Sequence, residues 1–293
     1  MDSRCKDAKM KIYNALGFSA LALQVLLSAY LAPSWMGPWW GIAVGFSYLL
    51  ISWFLAGLYL SDVIHLGIAH RALDYQAWFV KAVTLCNNTV GVYVDPVSWV
   101  NRHRLHHQFA DHAGDPNKLA GDGAWKTMYL CLFPYPCTAN LANDAILKTW
   151  PFRLVSHPLF ALVSPVLSCG LLWWLVGDWK FAVGVWLGVR IFAFWVNMVQ
   201  NYWTHDRRFG TRRYDEPDNA MNIGDWLPVM ATFSACWQNN HHHHPHLLRT
   251  THDSGEFDFG YATVRVMSAC GLVKPSKTGT DKPIDVALAE IAL

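Results

Sequence analysis

Four apolar runs of bilayer-crossing length constrain this chain more than any other feature. Ile12–Ala32, Trp39–Leu60, Pro158–Gly177 and Phe181–Trp203 contain a single charge, Arg190. A helix rises about 1.5 Å per residue, so each run covers a hydrocarbon core of about 30 Å. Lipid offers the backbone no hydrogen-bond partner, so the runs predict helices. The composition agrees: 53% of the 293 residues are hydrophobic, 15% are charged and 16 are Trp, too apolar for an ordinary soluble chain. The net charge of +2 gives no case for a nucleic-acid partner. The expectation is an all-α membrane protein forming a single domain over 1–293, with four spans under a helical cap.

Orientation follows from the basic residues. The link Pro33–Pro38 is short and uncharged, whereas Arg4, Lys6, Lys9 and Lys11 precede the first run. Nearly all other Lys and Arg follow the second run or the fourth. The positive-inside rule then places both termini and the cap, 61–157 and 204–293, in the cytoplasm. The first run lacks the A-x-A end of a cleaved signal. Ala77–Val100 is apolar but includes Lys81, Asn87, Asn88, Asp95 and Pro96, which predicts a buried or interfacial helix and turn rather than a span. Thr127–Cys137 is too short to cross and suits the membrane surface. Gly41 with Gly45 and Gly184 with Gly188 are G-x-x-x-G pairs. Unless their spacing is chance, they let the second and fourth helices approach closely. Arg190 needs a polar partner. The seven Cys form no C-x-x-C pair and read as reduced core residues.

The chemistry-bearing residues gather at the ends of these runs. Trp99–Pro116 contains His103, His106 and His107, which lie at 0°, about 300° and about 400° of helical turn and share one face. Three neutral imidazoles converging on a point suit Fe, Zn, Cu or Ni; a solvated, His-rich helix end is the alternative. His65 and His70 follow the second run five residues apart, a spacing that splays the rings by about 140° unless the helix ends or bulges. Asn201 and His205 are four apart at the mouth of the fourth run and stack on one face. Gln238, His241 and His242 repeat the central spacing with Gln in the first place. The run of four His sits well inside the chain, unlike a tag. A rival register would use His243, His244 or His246 instead.

In this order, H-x-x-x-x-H, H-x-x-H-H, N-x-x-x-H and NNHH-x-x-P resemble the integral-membrane fatty acid desaturases over about residues 10–270. The resemblance implies a mushroom-like helical fold and two non-haem irons held mainly by histidine. His65, His70, His103, His106, His107, His205, His241 and His242 match the family's metal-binding histidines, and Asn201 the amide that meets a metal through water. Two positions depart from the pattern. Gln238 stands where the family has His, leaving a weak or indirect ligand, and Arg102 replaces an acidic residue before the central box.

The implied reaction puts a C=C bond into an acyl chain held by CoA, carrier protein or lipid, using O2 and electrons. No His-Pro-Gly-Gly haem stretch, iron–sulfur Cys set or G-x-G-x-x-G loop occurs, so no bound haem, flavin or nicotinamide is expected. Electrons would come from a separate donor such as ferredoxin, or cytochrome b5 with its reductase. A related membrane di-iron hydroxylase, ketolase, acetylenase or decarboxylase shares the same boxes. A metal transporter would instead carry its ionisable residues within the spans.

Overall fold

Ser3–Tyr30 forms α1 and Gly37–Gly57 forms α2, turned by a bend in which the Pro33 carbonyl accepts the amides of Met36 and Gly37. Pro38 lies in the first turn of α2, where its missing N–H costs nothing. A second hairpin joins α7 (Pro158–Val176) to α8 (Trp179–Asn201) through Gly177, which closes α7 with φ 77°, a left-handed conformation that glycine adopts without strain. Asp178 caps α8 by accepting the Phe181 amide at 2.9 Å. The computed structural model describes residues 3–117, 123–132, 137, 139–277 and 279. Phe133–Pro136 of the surface stretch, the end of the cap from 280, and the side chains of the basic amino-terminal flank fall outside them. Helices long and apolar enough to span run over Ile12–Tyr30, Gly37–Ala69, Pro158–Val176 and Trp179–His205.

The G-x-x-x-G pairs close mainly on α1, although Gly45 of α2 also faces α8, where a Cβ would meet Val185 at 3.3 Å. A Cβ at Gly41 or Gly45 would meet Ser28 at 2.4 and 2.0 Å, and one at Gly184 or Gly188 would meet Leu31 at 2.1 Å and Gln24 at 2.0 Å. Both stripes therefore pack chiefly against α1. Gln24 ties this packing by donating to the Gly45 carbonyl at 2.9 Å. Arg190 finds Ser168 Oγ at 3.2 Å and stacks on Trp186, 4.8 Å from its ring centroid.

The second span also departs from expectation. It continues past Leu60 as a π-helix over Leu58–Ala69, so His65 lies within the helix rather than beyond its mouth. The helix stops where Arg71 takes φ 55°, and a short strand, β1 (Leu73–Tyr75), pairs antiparallel with β2 (Val273–Pro275). The cap then builds α3 (Ala77–Val90), α4 (Pro96–Phe109), α5 (Ala124–Leu132), α6 (Trp150–Val155), α9 (Trp226–Ala231), α10 (Gln238–His243) and α11 (Phe259–Ala269). Tyr59, Val63, Ile64, Val80, Val100, Phe152, Leu248 and Val264 form its apolar core, each full burial contributing about 1.5–3 kcal/mol. Trp125, Tyr129 and Leu132 leave an exposed stripe along α5. Among the described residues the cysteines are free, but Cys86 and Cys270 are exposed instead of buried in the core.

Candidate metal centre

Four segments deliver eight histidines to one place between the spans and the cap. The π-helix brings the first pair. Its ladder runs from residue i+5 to i, and the His70 amide donates to the His65 carbonyl at 3.0 Å. That wider turn cancels the splay an α-helix would impose, leaving the two ring centroids 4.8 Å apart. The Tyr75 hydroxyl braces the wide turn by donating to the carbonyls of Asp62 and Val63 at 2.5 and 3.0 Å.

The central box rides on α4, which Asp95 caps through the amides of Val97 and Ser98. Trp99, one turn before His103, stacks on its ring at 4.6 Å and 11°. The carboxyl-terminal box forms α10, held from behind by the two asparagines that precede its histidines. Asn239 accepts the amides of Arg213 and Tyr214 at 2.8 Å each. Asn240 bonds to Asn222 and to the Thr250 carbonyl. With their backs fixed, His241 and His242 point in different directions.

Five rings, His65, His70, His103, His107 and His241, form one group, and His106, His205 and His242 a second. Within each group one ligand atom per residue lies within 4.8 Å of the others. Nε2 approaches Nε2 at 2.9 Å for His65 with His241, 2.8 Å for His70 with His103, 3.2 Å for His107 with His241 and 3.3 Å for His106 with His242. Neighbouring ligands about 2.1 Å from a shared cation stand about 3 Å apart, so the spacing fits imidazoles aimed at a metal. Burial and the neighbouring rings hold His70, His103, His107 and His241 well below their ordinary pKa, and His242 down to about 4. Neutral rings keep their lone pairs for a cation.

The two groups differ in what stands behind them. Every ring of the three-His group has its Nδ1 on a carboxylate: His106 on Asp115 at 2.8 Å, His205 on Asp111 at 3.0 Å, and His242 on Asp218 at 2.6 Å. This fixes the tautomer and leaves Nε2 free. Burial raises Asp111 and Asp218, but their histidine partners outweigh it and hold both below the usual carboxylate range. The five-His group has no such pairing among the described residues, and His241 Nδ1 is buried without a partner. A groove of about 350 Å³ opens beside it, walled by His70, His107, Arg71, Arg104, Gln108 and His246.

Asp111, Asp115, Asp218 and Trp99 were not singled out from sequence. Asp111 and Asp115 lie just downstream of the central box, a local signal that could have been read; Asp218 has none. The two other candidate ligands, Asn201 and Gln238, are amides. The Asn201 amide nitrogen is spent on Asn197, at 2.9 Å to the carbonyl and 2.5 Å to the side chain, which leaves its oxygen uncommitted. Gln238 opens α10 half-buried. His243 turns away onto Glu216 and stacks on Tyr214, and His246 Nδ1 donates to the His70 carbonyl at 3.0 Å, behind the first box.

No family model matches the chain. It is similar to the sn-1 stearoyl-lipid 9-desaturase of Anabaena variabilis, 27% identical over 248 residues that cover 82% of this chain and 86% of that protein. The Delta-9 acyl-lipid desaturase 2 of Arabidopsis thaliana is 25% identical over 285 residues, 94% and 86% of the two chains. A hex-5-enoyl-[acyl-carrier protein] acetylenase of Moorena producens is 27% identical over 271 residues, 86% and 82%.

Proposed function

We infer that the chain is an integral-membrane fatty acid desaturase, a reading its relatives support, and that it introduces a C=C bond into the acyl chain of a membrane lipid. The observation that carries the reading is the pair of buried histidine groups, five rings and three, at the junction of spans and cap. The acyl-lipid specificity of several relatives supports a lipid-linked substrate. In this reading His65, His70, His103, His107 and His241 hold one iron, and His106, His205 and His242 the other, with Asn201 and Gln238 in supporting places.

When bound, the two irons supply an oxidant, made from O2 and electrons, strong enough to break an unactivated C–H bond. The protein's own part is to position and to exclude water. Asp111, Asp115 and Asp218 keep three imidazoles in the ligating tautomer. The apolar spans give the acyl tail a place beside the centre, which orients one methylene pair and keeps water from it. Electrons arrive from a separate carrier protein, for which the groove beside His70 and His107 offers the approach from the cap.

The relative that acts as an acetylenase favours one second reading, further oxidation of an existing double bond. Expression in a host lacking its own desaturase tests both. A desaturase yields lipids that have lost two hydrogens at one fixed position. Conversion only of a supplied alkene to an alkyne would select the second reading, and no oxygen-dependent product would reject both.

A further inference from the structure

The segment between α8 and α10 reaches the three-His group at two points. Asp218 holds His242, and the Asn219 amide donates at 2.8 Å to Asp111, the carboxylate that holds His205. Yet this segment, TRRYDEPDNA over 211–220, is too polar to be fixed by burial of its own side chains. What shapes it is Arg212. Its guanidinium donates to the carbonyls of Asp218 and Ala220 at 3.0 and 3.1 Å, and to that of Glu216. The side chain is 18% exposed and lies 3.6 Å from Asp218 Oδ1. Arg207 adds one bond, to the Asp218 carbonyl at 2.7 Å, but Arg212 spans all three. A planar fork can order alternate carbonyls along a loop, and an ammonium cannot. The base of the loop is closed by the paired backbone bonds of Thr211 and Asn222 at 2.8 and 2.7 Å.

We propose that Arg212 is a positioning residue, which shapes the 216–220 loop so that Asp218 and Asn219 keep His242 and His205 aimed at the metal of the three-His group. This rests on the reading that both groups hold metal ions. The consequence is selective. Among the described residues Arg212 makes its hydrogen bonds and ion pair within its own loop and none with the five-His group, so its loss weakens one ion and spares the other. Loss of an outer partner typically lowers metal affinity about 10–100-fold.

The test is iron retention by purified, iron(II)-loaded protein challenged with a graded chelator, with circular dichroism as the check on folding. Wild type is expected to hold two ions. Arg212→Ala should surrender one of them at chelator about 10–100-fold weaker and keep the second as wild type does. Arg212→Lys, milder for the fold, should fall between. Arg213→Ala, which removes an exposed ion pair with Asp253, should hold both. The double variant Arg212→Ala/His205→Ala should retain as much iron as His205→Ala alone, because both act on the same ion. Retention by Arg212→Ala equal to wild type, or loss of the remaining ion in the double variant, overturns the proposal and leaves the di-metal reading standing. A wild-type chain that binds no ion through His106, His205 and His242 overturns both.

Discussion

Gln238 takes the first position of α10, one turn before His241 and His242. A neutral amide oxygen is a poorer donor than imidazole for a late first-row metal, so its truncation should cost less than loss of a ring. Gln238→Ala is expected to keep most of its iron and part of its turnover. His241→Ala and His242→Ala should lose both, binding iron about 10–100-fold more weakly or worse. Gln238→His should keep or raise iron occupancy. His243→Ala should keep its iron, because that ring faces Glu216 and Tyr214 instead. Iron analysis across these positions checks the register, and inactivation by His243→Ala would favour the rival. The spacing of Gln238, His241 and His242 was legible in the chain because it is local. Asp218 was not, because its partner is 24 residues away and only the folded loop joins them.

The π-helix shows why the first box is weak as a sequence signal. Five residues on an α-helix put His65 and His70 on different faces, and nothing in Leu58–Ala69 announces the wider turn. Tyr75 holds that turn open from outside, and Gly67 leaves room for it: a Cβ there would fall 1.4 Å from the Tyr75 oxygen. Tyr75→Phe removes both bonds to the π carbonyls and should destabilise the chain by about 1–3 kcal/mol, with lower iron content at the five-His group. Gly67→Ala should be worse, since the tyrosine must leave its place. Thermal unfolding and iron analysis together test this; a Gly67→Ala chain with wild-type iron would remove the brace from the account. The G-x-x-x-G stripes teach the same limit. Their presence marked close helix approach, but which helix fills them depends on topology, and Gln24 and Ser28 of α1 do so.

At the scale of the whole chain, the four spans were legible because lipid leaves the backbone few options. The partition of eight histidines into five and three was not, because it depends on where α10 points each ring. The orientation inferred from Lys and Arg has a direct test. A reporter inserted at Met36 should read external and one fused after Leu293 cytoplasmic, and the reverse would turn the cap outward.

The same assembly sets how the iron-free protein responds to acid. Burial holds His70, His103, His107 and His241 well below 6.5, and His242 and His252 down to about 4. In the unfolded chain these rings bind protons near pH 6.5. The unfolded state therefore takes up more protons between about 6.5 and 4, and stability falls as pH drops through that window. Above it both states are neutral and this contribution is constant. Asp111 and Asp218, held low by their partners, act in the same direction at still lower pH. The iron-free chain should thus lose at least about 2 °C of Tm between pH 7 and pH 5. Iron-loaded protein should resist until more acid conditions, because bound metal competes with protons for the same nitrogens. Scanning calorimetry of both forms in detergent checks this. An iron-free Tm that stays level or rises toward pH 5 would mean that His70, His103, His107 and His241 take up protons in the fold as readily as in the unfolded chain, which is incompatible with a group of neutral ligands.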